Sequence, residues 1–198
     1  MYSKSELEKI EDEFGKFSSW AIWDFQNEKN TSIIESNLEL LHNNYVFIGL
    51  NISKEVGIWE NFRGGKHDRK IKYAFNSTKD IKGAYMTDLI KSVEVYSIDL
   101  LNEIKQGNIN IKVQIDTFIR ELNLVKVTPK SKFFIFGNIA RELYDEYFEK
   151  HFPENKVFYL KHYSGRGDDK KWVENVWKRL NIKDLEFETE LKKYKNHT

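Results

Sequence analysis

Four short apolar runs in this chain each lead into a polar side chain suited to catalysis or recognition. Tyr45-Val46-Phe47-Ile48-Gly49-Leu50 runs into Asn51, and Gly83-Ala84-Tyr85-Met86 into Thr87-Asp88. Lys132-Phe133-Phe134-Ile135-Phe136 runs into Gly137-Asn138, and Lys156-Val157-Phe158-Tyr159-Leu160 into His162-Tyr163-Ser164-Gly165-Arg166-Gly167. An amide donates and accepts at once and can orient water without being a strong base. An imidazole supplies a titratable N–H, and an ionised carboxylate only accepts. Singly, Asn51, Asn138 and Asp88 also suit helix caps or turns, and His162 suits a strand edge. Their coincidence at one rim is what favours a joint site.

The elements that must position these residues follow from the pattern. The runs are β-branched or aromatic, nearly continuous and too short for helices, which reads as buried parallel strands. Apolar residues near i, i+3, i+4 predict helices at about Ser5 to Phe17, Ser32 to His42, Ser97 to Gln106, Ile111 to Leu124, Ile139 to Phe152 and Lys170 to Leu180. A charged peripheral helix is expected over 184–198. Strands separated by helices imply right-handed crossovers, hence an α/β fold with a parallel sheet covered on both faces. Ligands of such sheets bind beyond the carboxyl ends of the strands, where the four polar ends fall.

Composition narrows the rest. A chain of 198 residues favours one domain, 1–198, with N-terminal helices within 1–44. A hydrophobic fraction of 40% is too high for a disordered chain, and a charged fraction of 32% is too polar for a membrane protein. No apolar run approaches the ~20 residues that span a bilayer, and the N-terminus lacks a secretion pattern. A cytoplasmic location and no membrane partner are the expectations. Cysteine is absent, which removes disulfides, thiolate metal sites and cysteine nucleophiles. The net charge of +1 gives no global attraction for nucleic acid, so any such site must be a local patch. Lys66-His67-Asp68 reads as a solvated loop, since no second His/Asp pair makes it a metal site. No Gly-x-Gly-x-x-Gly follows the first strand, which disfavours a dinucleotide-binding dehydrogenase.

The order of the motifs resembles the uracil-DNA glycosylase superfamily. Gly49-Leu50-Asn51-Ile52-Ser53 looks like its first motif, a strand ending in Gly-x-Asn-Pro whose Asn positions the attacking water. Tyr85-Met86-Thr87-Asp88-Leu89-Ile90-Lys91 is similar to the Tyr-x-Thr-Asn-x-Val-Lys segment whose Asn reads the uracil edge. Phe136-Gly137-Asn138-Ile139-Ala140 resembles the third strand and following helix start, and His162-Tyr163-Ser164-Gly165-Arg166 the His-Pro-Ser-Pro-Leu motif. The resemblance spans about Tyr45 to Leu180. It departs from the family at Ile52 and Tyr163, where Pro is usual, at Arg166 in place of the wedge Leu, at Asp88 in place of Asn, and in the absence of cluster cysteines.

The resemblance implies a three-layer sandwich around a four-stranded parallel sheet, in the order second, first, third, fourth. It implies cleavage of the N-glycosidic bond of a flipped base in DNA repair, by a monomer that binds DNA and needs no metal or other cofactor. Asn51 would orient water, and His162 would donate to the departing base. Phe62, Asp88 and Asn138 would hold the base. Arg63, Ser164, Gly165, Arg166 and Lys170 would contact DNA, with Lys66, Arg69, Lys70, Lys72, Lys161 and Lys171 adding positive charge. An ionised Asp88 would prefer adjacent donors such as guanine N1–H and N2–H2, and a protonated one the edge of cytosine or adenine. Two alternatives stand beside this reading: a non-catalytic DNA-, nucleotide- or protein-binding module of the same fold, and hydrolysis of a free nucleoside or nucleotide.

Overall fold

The computed structural model describes residues 2–52, 54–91, 97–165 and 167–195. Ser53 and Arg166, both part of the motifs above, lie outside the described residues, as do 92–96 and 196–198. Five strands form one mixed sheet: β1 (Ser18–Trp20), β2 (His42–Asn51), β3 (Ala84–Ile90), β4 (Lys132–Phe136) and β5 (Lys156–Leu160), in the spatial order β1-β3-β2-β4-β5. The four strands read from the sequence are parallel and stand in the expected order. The expected four-stranded, all-parallel sheet is corrected by β1, which pairs antiparallel to β3 through Ser18 opposite Thr87 and Trp20 opposite Tyr85. This strand escapes a hydrophobic scan because its serines are buried by hydrogen bonding. Ser18 Oγ donates to Phe14 O at 2.8 Å and Ser19 Oγ to Trp59 O at 2.9 Å.

Alternation along the strands divides the core in two. Val46, Ile48, Tyr85, Leu89, Phe133 and Ile135 join one cluster, with residues of α1 (Lys4–Phe14), α5 (Ile111–Leu124) and α6 (Asn138–Leu143). Phe47, Met86, Phe134 and Phe136 join the other, with α3 (Arg69–Phe75), α7 (Asp169–Leu180) and α8 (Phe187–Lys195). Helices therefore pack on both faces. On the second face the next positions toward the carboxyl ends are Gly49 and Asn51 of β2 and Asp88 of β3, and Gly49 pairs directly with Asp88. Register alone thus brings motif residues from neighbouring strands to one edge.

Three elements differ from the sequence reading. The helix expected over Ser32 to His42 is a short α2 (Ser32–Glu35) and a 3-10 turn (Leu38–Leu40), because His42 already pairs with Ala84 as the start of β2. The helix expected over Ile139 to Phe152 passes from α6 into a π-helical turn (Tyr144–Phe148) and a 3-10 turn (Glu149–His151). The segment 69–75, read as a basic loop, is helix α3, whose Lys70 and Lys72 are buried beside Ile71, Ala74 and Phe75. The helix α4 (Ser97–Lys105) and the C-terminal α8 agree with expectation. Among the described residues no helix is long and apolar enough to cross a membrane.

Candidate functional site

A cavity of about 470 Å³ opens at the carboxyl edge of the parallel strands. That lies within the ~300–1,000 Å³ usual for small-molecule sites. It is lined by Asn51 at the end of β2, Asp88 in β3, Asn138 at the start of α6 and His162 just after β5. Four residues picked from separate strand ends therefore meet in one space. Lys66, His67 and Asp68 line it too, although the sequence reading made them a solvated loop.

Asp88 is held inside β3 rather than after it, which removes its reading as a helix cap. The residue is 3% exposed; its Oδ2 accepts a hydrogen bond from Asn61 Nδ2 at 2.7 Å. Burial pushes the Asp88 pKa up to about 6, while Lys91 and the Asn61 bond act against the rise and the charges of Glu121 and Asp68 add to it. Gly49 is required opposite. A Cβ there would collide with Asp88 Oδ1 and lie 3.3 Å from the Phe62 ring. Burial likewise raises the Asp68 pKa, although its Oδ2 accepts the Gly65 N–H at 2.8 Å.

The hydrogen bonds of His162 identify its tautomer. The Ser164 backbone N–H can only donate, and it donates to Nδ1 at 3.1 Å, with Ser164 Oγ 2.7 Å from the same nitrogen. A neutral ring must therefore carry its proton on Nε2. Burial lowers the His162 pKa, and the nearby His67 charge lowers it further, so the neutral donor form is favoured at neutral pH. The ring stacks on Tyr163 at 4.5 Å between centroids, and Tyr163 stands edge-on to Phe136 at 5.4 Å. Gly137, at φ +88°, lets the chain pass His162; a Cβ there would meet the His162 side chain at 3.0 Å.

Behind β3, on the opposite face, lies a buried polar network. Glu121 Oε1 of α5 accepts from Tyr85 Oη at 2.9 Å and Thr87 Oγ1 at 2.7 Å, and Glu121 Oε2 is 2.8 Å from Lys91 Nζ. Lys91 Nζ also donates to Thr87 Oγ1 and to the Asp88 carbonyl. Tyr85, Thr87 and Lys91, three of the residues that carry the resemblance, thus brace the strand that presents Asp88.

Several expected contacts are placed elsewhere. Phe62 does not line the cavity; it is buried at φ +63°, packed toward Gly49 and 6.4 Å from the Tyr163 ring, so Phe136 and Tyr163 supply the aromatic lining. Arg63, expected on DNA, is buried. Its Nε donates to Ser19 Oγ at 3.0 Å and its Nη2 to the carbonyls of Trp20 and Ile22, where it holds the chain leaving β1. Burial without a carboxylate partner drops its pKa to about 10. Lys72 pairs with Glu28 and lies over the Tyr194 ring, and Lys70 donates to Gly165 O at 3.2 Å. Arg69 pairs with Asp169 at 2.6 Å, and Lys170 with Glu188 at 3.2 Å. Ser164 lines the cavity, while Gly165 serves as the anchor for Lys70. Much of the expected basic surface is therefore internal or paired, which a count of charges along the sequence could not reveal.

Among the described residues no group of three or more His, Asp or Glu side chains is arranged to hold a metal ion. Comparison with known protein families, curated proteins and solved structures finds no match.

Proposed function

We propose that the chain is a uracil-DNA glycosylase-like N-glycosidase with altered base specificity. The observation that carries the reading is the convergence of Asn51, Asp88, Asn138 and His162 on one cavity, with His162 locked as an Nε2–H donor. Loss of a base from its sugar builds positive charge on the sugar and negative charge on the leaving base. A fixed donor beside the base lowers the second cost, and removing such a donor typically costs ~10²–10³ in rate. In this scheme the C–N bond breaks with its electron pair going to the base, toward which His162 points its N–H. Asn51 orients a water whose hydroxyl joins the sugar carbon, and the water's other proton ends on the released base. Phe136 and Tyr163 give the base an aromatic wall to rest against, and Asp88 reads its edge.

The test is a base-release assay on single-lesion oligonucleotides, single- and double-stranded, scored by abasic sites. Release that falls at least about a hundredfold in Asn51→Ala and His162→Phe supports the reading. Stoichiometric binding without release on every substrate rejects catalysis and leaves a binding module of the same fold. A second reading, hydrolysis of a free nucleoside or nucleotide, is favoured by the burial of Arg63, Lys70 and Lys72, which removes cations from an extended DNA surface. Faster release from mononucleotides than from oligonucleotides would select it.

A further inference from the structure

The hydrogen-bonding groups of the cavity are directional, and their direction describes a ligand. Asn61 Nδ2 donates both to Asp88 Oδ2 and, at 2.9 Å, to Phe17 O, while Asn61 Oδ1 accepts the Phe62 N–H at 3.0 Å. Turning that amide over would break all three bonds, so Asn61 presents only a donor to Asp88. Asn61 thereby takes one lone pair of Asp88 Oδ2 and leaves the other, and Oδ1 stands over Gly49, itself part of the cavity lining. Asp68 adds a second carboxyl whose charge reaches Asp88, and both act on the Tyr163 hydroxyl. Lining carboxyls offer acceptors, while His162 Nε2–H is a donor fixed by the Ser164 bonds to Nδ1, beside the amides of Asn51 and Asn138.

Base edges differ in the matching pattern. Uracil presents an acceptor, a donor and an acceptor in sequence. Cytosine and adenine present a donor beside an acceptor, and guanine presents N1–H and N2–H2 side by side, with acceptors O6 and N7 around the ring. A carboxylate meets two adjacent donors without facing a carbonyl. We infer that the site takes a guanine-type base, whose N1–H and N2–H2 meet the Asp88 carboxylate while a ring acceptor takes the His162 Nε2–H. This rests on the nucleobase site proposed above and names its substrate class. With a pKa of about 6, Asp88 is mostly ionised at pH 7.5, which suits an acceptor-only role.

The experiment is equilibrium binding by calorimetry at pH 7.5 with guanosine, inosine, uridine and cytidine. Inosine keeps N1–H and lacks N2–H2. Guanosine is expected to bind at least about tenfold tighter than inosine, since a site built around a donor rejects a ligand lacking it. Uridine and cytidine should bind more weakly still. Asp88→Asn should cut guanosine affinity at least about tenfold while melting cooperatively. The wild-type order of affinities decides the matter even if the variant fails to fold. Uridine or cytidine binding as tightly as guanosine, inosine equalling guanosine, an unchanged affinity in folded Asp88→Asn, or no binding of any nucleoside at millimolar concentration would each overturn the inference. Guanosine selectivity without base release from any substrate would keep this assignment and remove the glycosidase. Uracil release from oligonucleotides without guanosine selectivity would do the reverse.

Discussion

Replacing Asp88 with Asn keeps the side chain's shape and its acceptor for Asn61 while removing a buried titratable group. In the unfolded chain an aspartate titrates near its ordinary 3.8; in the fold Asp88 titrates at about 6. Below about pH 4 both states hold the proton and the group contributes no difference. Between these values the folded state keeps a proton that the unfolded state has lost, so wild-type stability falls as pH rises, by up to about 1.4 kcal/mol per pH unit. Above pH 6 the penalty is complete, about 3 kcal/mol for a rise of roughly two units. Lys91, Glu121 and Asp68 supply the surrounding charges, and the first of these opposes the penalty. Asp88→Asn should therefore match wild type near pH 4 and exceed it by about 3 kcal/mol at pH 7.5. Urea unfolding of both proteins at pH 4.5, 5.5, 6.5 and 7.5 isolates this group, because other titrations cancel in the difference. A stability difference that does not grow with pH, at equal m values, would refute the account of a desolvated carboxyl.

The remaining expectations concern the same face and its supports. His162→Phe should lower base release by about a hundredfold with a much smaller loss of affinity, because the hydrogen bond it makes to the bound base strengthens as charge develops during cleavage. Equal losses in affinity and turnover would instead make His162 a binding group. Lys91→Met should cost about 3–5 kcal/mol in thermal or urea unfolding, since it leaves the Glu121 carboxylate buried without its cation. A loss below 1 kcal/mol would show that Glu121 is protonated or solvated. Gly49→Ala should weaken nucleoside binding by more than about tenfold, because the added methyl displaces the Asp88 carboxylate and presses on Phe62. Unchanged calorimetric affinity in that variant would mean that neither group is needed in its present position.

Much of this molecule is written locally. The continuous apolar runs at 45–50 and 132–136 specify buried strands because such segments lose too much by facing water, while the run at 156–160, expected buried, is a half-buried edge strand; the intervening helices force all three parallel. Period-two alternation then carries Gly49, Asn51 and Asp88 to one face, so the strand-borne part of the candidate site is legible in the sequence. What the sequence by itself could not determine was whatever depends on a distant partner. Ser18–Trp20 is a strand only because β3 offers it an edge, and Arg63 leaves the surface only because two carbonyls and a serine from β1 and its exit converge on it. Lys70 and Lys72 hide the amphipathic pattern of α3, since their long stems pack inward while their ammonium groups find Gly165 and Glu28. The charge state of Asp88 is likewise tertiary: the residue type is local, but its pKa belongs to the burial that the fold imposes, the Asn61 bond, and the charges of Lys91 and Glu121 across the strand.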